Sequence, residues 1–327
     1  MKQPPPAHVV GVDIGGTNIV AAVVASHDAQ VCSRRSIPTE AERGSEIGMR
    51  RIGDLIARVV AEAGMGLDQV GGIGIGCTGP VDSVRGRVMN PYTLPTWGDM
   101  PLVDALVERF GLPAVLLHDC AVAALGEHWA GAGQGARHLL YITVGTGIGA
   151  GIILNRRLYR GVGLLAGEVG HHVIDLNGPP CYCGAQGCWE MLAAGPAIAR
   201  LGAECAGEGG ALLRLAGGDR ERITARVIGQ AAEGGDPVAV GIMEQVAFYL
   251  GVGVANLLNI FAPEVVVMGG GVMQSWPLLS PTMLKTVHAR GGMIPFDRIR
   301  IVPAQLQLNA GVIGAARGLL DHLAGAL

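Results

Sequence analysis

The chain has 327 residues, half of them hydrophobic and only 16% charged, which excludes a disordered protein and leaves room for two domains. A net charge of −3 gives no basic footprint for nucleic acid. The start, Met-Lys-Gln-Pro-Pro-Pro, lacks the apolar core of a signal peptide, and the longest uncharged apolar run, 139–154, is shorter than the ~20 residues of a membrane span. A soluble, cytoplasmic protein with no membrane contact is expected. The seven cysteines fit that compartment, being odd in number with three at metal-ligand spacing.

Residues 9–13 read as a strand ending in Gly15-Gly16-Thr17, and 19–25 read as a second strand, so a hairpin is predicted. Apolar residues at helical spacing predict a helix over 47–62. A strand at 70–75, a helix at 101–110 and a buried strand at 114–117 follow. Asp119 then heads an alanine-rich helix over 121–130. From Leu139 the pattern repeats: strand 139–144, Gly145-Thr146-Gly147, strand 151–154. Two strand–glycine turn–strand units about 130 residues apart suggest an internal duplication and two related domains. Helices at 223–232 and 239–261, a strand at 265–268 ending in Gly269-Gly270-Gly271, a strand at 299–303 and a helix at 311–323 complete the chain. No linker marks a boundary, which is set near residue 118.

Two glycine patterns imitate a dinucleotide fingerprint, Gly74-x-Gly76-x-x-Gly79 and Gly145-x-Gly147-x-x-Ala150. Neither is followed by the helix that would aim its N-terminus at pyrophosphate, so a nicotinamide site is set aside. Glycine turns also suit anion binding, because consecutive backbone N–H groups unshielded by side chains form a nest. Thr17 and Thr146 add hydroxyls, and Asp13 beside the first turn can hold Mg²⁺ through water. Two ordinary hairpin turns would look the same. The pair, with the third glycine run, favours phosphate and nucleotide binding. Asp119 is either a general base or a plain helix N-cap. The densest signal is His171, Cys181, Cys183 and Cys188 within eighteen residues, flanked by Glu168 and Glu190. Cys₃His closes a tetrahedral zinc site, against the alternative of buried thiols that bind nothing. Met273, Cys77 and the tryptophans read as packing, and His172 as a surface or core histidine.

Asp13-Ile-Gly-Gly-Thr17, the 144–151 loop, Gly167-Glu-Val-Gly-His171, Cys181-x-Cys183-Gly-x-x-Gly-Cys188-x-Glu190 and Gly269-Gly-Gly271 resemble the ROK family of bacterial sugar kinases and sugar-responsive repressors. The resemblance covers the chain from about Val9 to Ala316. It implies an α/β protein of the actin-like ATPase and sugar kinase superfamily, two ribonuclease-H-like lobes with the active site in the cleft between them. The lobes would be 1–118, joined by the C-terminal helix at about 305–327, and 119–304 with a zinc-binding insertion at 171–188. Asp13, Gly15, Gly16, Thr17 and Asn18 would form one phosphate loop, Gly145, Thr146 and Gly147 the other, and Gly269, Gly270 and Gly271 would line adenosine. Asp119 would be the general base, displacing the N-cap reading. Gly79, Thr93, His118, Asp119, Glu168, His171 and Glu190 would meet the sugar, with His171 also binding structural zinc alongside Cys181, Cys183 and Cys188.

Two positions depart from the family pattern. His118 stands where an asparagine usually precedes the base. Tyr92-Thr93-Leu94-Pro95 replaces the Pro-Asn-Leu-Pro of many family glucokinases. The implied activity is ATP-dependent, Mg²⁺-assisted phosphorylation of a hexose, with glucose first. N-acetylglucosamine, N-acetylmannosamine, fructose or mannose are the alternatives. A non-catalytic sugar-sensing regulator is the rival of another class, although family repressors carry an N-terminal helix-turn-helix for which Asp13 leaves no room. Family members are often dimers or tetramers, so a homo-oligomer is expected.

Overall fold

The computed structural model describes residues 4–91, 93–290 and 294–327, so the first three residues and Tyr92 lie outside the described residues. The chain packs into two compact units, Met1–Tyr141 with Gly151–Gly167 and Ala304–Leu327, and Ile142–Ala150 with Glu168–Pro303. Residues 119–141, expected beyond the boundary, belong to the first unit by packing. The C-terminal helix is also in the first unit.

In chain order the first unit begins β1 (His8–Ile14), β2 (Asn18–Ala25), β3 (Val31–Pro38), α1 (Ser45–Glu62) and β4 (Val70–Cys77). Three short strands follow, β5 (Val81–Asp82), β6 (Arg87–Met89) and β7 (Asp99–Met100), then α2 (Leu102–Phe110), β8 (Ala114–His118) and α3 (Asp119–Ala130). The main sheet has the order β3-β2-β1-β4-β8. The β1–β2 and β2–β3 pairs are antiparallel, whereas β4 runs parallel to both β1 and β8.

Alternation along β1 and β2 divides the side chains between two cores. Val10, Val12, Ile19 and Ala21 pack with Ile52, Ile56 and Val59 of α1 and Leu102 and Leu106 of α2. Val9, Val20 and Ala22 face Val312, Ala316 and Leu319 of the C-terminal helix instead. Period-2 alternation in a sheet covered on both faces requires this division. The C-terminal helix comes very close to the sheet: a Cβ on Gly11 would lie 1.9 Å from the Val312 carbonyl oxygen, and one on Gly74 would lie 1.8 Å from that of Ala315. Glycine at these positions lets the two backbones touch.

The repeat opens with β9 (Leu139–Val144), β10 (Ile148–Leu154) and β11 (Arg157–Leu158). Next come α4 (Trp189–Ala193), α5 (Gly195–Cys205), α6 (Ala211–Leu215), α7 (Ala225–Glu233), α8 (Pro237–Phe261), β12 (Val265–Gly269), α9 (Trp276–Arg290), β13 (Arg300–Pro303) and α10 (Ala310–Leu323), the C-terminal helix. The second sheet has the order β11-β10-β9-β12-β13, the same succession as the first. Among the described residues, α8 alone is long and apolar enough to cross a membrane, yet 61% of its most apolar window is buried within the protein. Leu250, Val254 and Leu258 are core residues, which explains its composition.

Candidate active site

In the first unit, the C-terminal ends of three parallel strands line up, with Ile14 opposite Cys77 and Cys77 opposite His118. Ligands of parallel sheets bind beyond such ends. The predicted residues follow these strands directly. Thr93 reaches them from the loop after β6: its Oγ1 donates to Thr78 Oγ1 at 3.3 Å, and a Cβ on Gly16 would lie 2.8 Å from its Cβ. A Cβ on Gly79 would lie 2.7 Å from His118 Nε2. Gly16, Gly79, Thr93, His118 and Asp119 therefore gather at one end of the sheet.

The N-cap of α3 is His118, and Asp119 is its first helical residue. Asp119 Oδ1 accepts from the Cys120 N–H at 2.7 Å and lies 3.1 Å from His118 Nδ1. These contacts orient a side chain that is 41% exposed. Asp13 lies close enough to feel its charge. Burial pushes the Asp13 carboxyl up to about 7, the Asp119 carboxylate adds to the rise, and Arg34 opposes it. Burial, then Asp119 and Asp13, also hold the Cys77 thiol well above its usual range, consistent with a packing role. The Asp119 carboxylate raises the cost of ionising Asp13, which a cation beside Asp13 would offset.

The two glycine turns are closed in a related way. Gly15 N–H donates to Asn18 O at 3.0 Å, and Gly145 N–H donates to Gly147 O at 2.9 Å. The first glycine of each turn thus shapes the loop, leaving the next N–H groups as the candidate anion donors. In the second unit, a Cβ on Gly270 would lie 2.4 Å from Val144 O, so the Gly269–Gly271 turn abuts the Gly145 turn. Beside both opens a cavity of about 790 Å³, lined by Gly145, Thr146, Gly271 and Val272 and by Arg226, Gln230 and Glu233 of α7. That is the size of a small-molecule site. The α7 side chains carry no motif, and no pattern beyond the helix itself points to them.

His171, Cys181, Cys183 and Cys188 come together, with their ligand atoms all within 4.8 Å of one another. Cys183 Sγ lies 3.6 Å from Cys188 Sγ, and Cys181 Sγ lies 3.5 Å from His171 Nδ1. A zinc tetrahedron with ordinary bond lengths has S···S edges of about 3.8 Å and S···N edges of about 3.5 Å. The residues fit zinc. Burial and the neighbouring thiols push Cys188 up to about 12, while the Ala185 backbone and Cys181 lower Cys183. A cation would relieve the crowding of thiolates.

The module is anchored by three consecutive residues. Cys188 belongs to the metal set, and the Trp189 ring is fully buried, so that a Cβ on Gly253 of α8 would lie 2.1 Å from it. Glu190, also buried, accepts the Ile148 N–H at 2.8 Å through Oε2. That contact ties the module to the Gly145 turn. His172, which is half-buried, packs edge-on against Trp189. Glu168 is exposed at the start of the module. The second ring nitrogen of His171 is engaged within the chain. Nε2 lies 3.2 Å from the Tyr182 hydroxyl, which donates to Glu190 Oε1 at 2.8 Å. Tyr182 carries no motif role, although its place between two ligand cysteines restricts where its side chain can go.

A profile of the ROK family matches residues 9–321. A glucokinase of Halalkalibacterium halodurans is 35% identical over 311 residues, covering 93% of this chain and 92% of its own. A ROK family glucokinase from Streptomyces griseus, solved in complex with glucose and AMPPNP, superposes with a TM-score of 0.79 at 35% identity, covering 94% of this chain and 98% of its own. A putative xylose repressor of Caldicellulosiruptor is 31% identical over 316 residues, covering 96% of this chain and 78% of its own. The fold is that of the actin-like ATPases and sugar kinases. The chain belongs to the ROK family.

Proposed function

We propose that this protein is an ATP-dependent hexose kinase and that its substrate is glucose, phosphorylated at the 6-hydroxyl. The observation that carries the reading is Asp119, a partly exposed carboxylate fixed by the Cys120 N–H at the C-terminal end of a parallel strand, beside Asp13 and the Gly15–Thr17 turn. A sugar-binding regulator has no need of such a base. The glucokinase relatives and the AMPPNP complex of the Streptomyces griseus protein support the same donor and acceptor.

A sugar hydroxyl is a weak nucleophile with a high pKa, and Asp119 accepts its proton as the γ-phosphoryl transfers in line. The Thr146 and Gly147 N–H groups and the Gly269–Gly271 turn hold the nucleotide. Gly16 and Thr17 offer donors to phosphate. Asp13 would help to hold Mg²⁺, which would supply positive charge to neutralise the phosphates. Glu168, His171 and Glu190 take sugar hydroxyls. Zinc has a structural part, since four protein ligands leave no position for a substrate.

Replacing Asp119 with Asn or Ala lowers turnover by about 10²–10⁴-fold while the fold persists. Near-normal turnover in either variant sinks the mechanism. A second reading, a kinase for N-acetylglucosamine, N-acetylmannosamine, fructose or mannose, is favoured by His118 and Thr93 standing where asparagines are usual. Phosphoryl transfer measured across that set of sugars separates the two.

A further inference from the structure

Every side-chain polar atom of His171 and Glu190 has a partner inside the chain. Glu190 Oε2 takes the Ile148 N–H, and His171 Nδ1 faces Cys181 Sγ. The remaining two, Glu190 Oε1 and His171 Nε2, are taken by one group, the Tyr182 hydroxyl, at 2.8 and 3.2 Å. The two rings meet edge to face, with centroids 5.1 Å apart.

These partners differ in their freedom to leave. The Ile148 N–H is part of the backbone of β10, and Cys181 belongs to the metal set. Tyr182 is 78% exposed, and only its side chain need move, because its backbone is held between Cys181 and Cys183. A phenol also has the hydrogen-bonding inventory of a sugar hydroxyl, one donor and two acceptor lone pairs.

We propose that Tyr182 is an affinity-setting residue that competes with the substrate: its phenol holds the positions on Glu190 and His171 that a hexose hydroxyl takes, and it must swing outward before the sugar binds. This rests on the hexose kinase reading. A site left open in the free protein would bind more tightly by the strength of the bonds the phenol makes. Those bonds therefore raise the apparent KM for sugar without touching the transferring phosphoryl group.

The test compares the zinc-loaded wild type with Tyr182→Phe, which keeps the ring and removes the hydroxyl, and with Tyr182→Leu, which removes both. Glucose KM, ATP KM and kcat are measured, with zinc per chain as the check that the module is intact. Each of the phenol's two hydrogen bonds corresponds to about a three- to tenfold change in affinity, so at least that factor is at stake. The expected result is a glucose KM lowered by that factor in Tyr182→Phe and lowered also in Tyr182→Leu, with kcat and the ATP KM moved far less. An unchanged or raised glucose KM in Tyr182→Phe overturns the inference and leaves the kinase reading standing. A wild type that phosphorylates no hexose removes both.

Discussion

At the scale of single residues, the account rests on two aspartates. Asp119 was legible only as a choice between a base and a helix cap, because both need a carboxylate at the start of a helix. The family resemblance tipped that choice, and the structure puts the cap at His118. Asp13 carries a consequence that no motif announces. Its folded-state carboxyl is raised to about 7 from an ordinary value of 3.8. Between those values the folded protein holds a proton that the unfolded chain has lost. Asp13 therefore makes stability fall as pH rises from about 4 to 7, with no further loss above that. Asp13→Asn should accordingly gain stability over the metal-free wild type, by a margin that grows across this window and then levels off. Thermal melts at several pH values without Mg²⁺ check this, and a constant margin contradicts the burial argument.

At the scale of elements, the segment 171–190 is the most informative. Its cysteines and histidine were legible because their chemistry is narrow and their spacing tight. Tyr182 and the anchoring of Trp189 were not, because an exposed tyrosine and a buried tryptophan are common and their partners lie elsewhere in the chain. Metal analysis of the purified protein should give about one zinc per chain, and chelation should raise the glucose KM by loosening the module. A fully active protein without zinc contradicts that assignment. Trp189→Ala should cost about 3–5 kcal/mol, because the cavity opens against α8 at Gly253. A second element-level test concerns the contact between α10 and the sheet. A Cβ on Gly74 meets backbone rather than a movable side chain, so Gly74→Ala should destabilise by about 1–3 kcal/mol or more. Denaturant midpoints measure both.

At the scale of the whole molecule, the duplicated strand–glycine turn–strand pattern was legible because hairpins are local. The structure extends it to five strands, with the same succession in both sheets. β3, the short β5 to β7 sheet and α9 escaped sequence reading. β3 carries two arginines and two serines on an edge strand, and Pro281 interrupts the α9 pattern. The division between units also escaped, because it is set by packing that no linker marks. The α3 helix joins the first unit, where it packs on α10. What the chain does depends on residues gathered from many such elements. The most direct measurement is the initial rate of phosphoryl transfer from ATP to glucose, in the presence of Mg²⁺, for the wild type beside Asp119→Asn. The account predicts glucose 6-phosphate formation by the wild type and a loss of about 10²–10⁴-fold in the variant. No transfer to glucose or any other hexose by the folded, zinc-loaded wild type would contradict it.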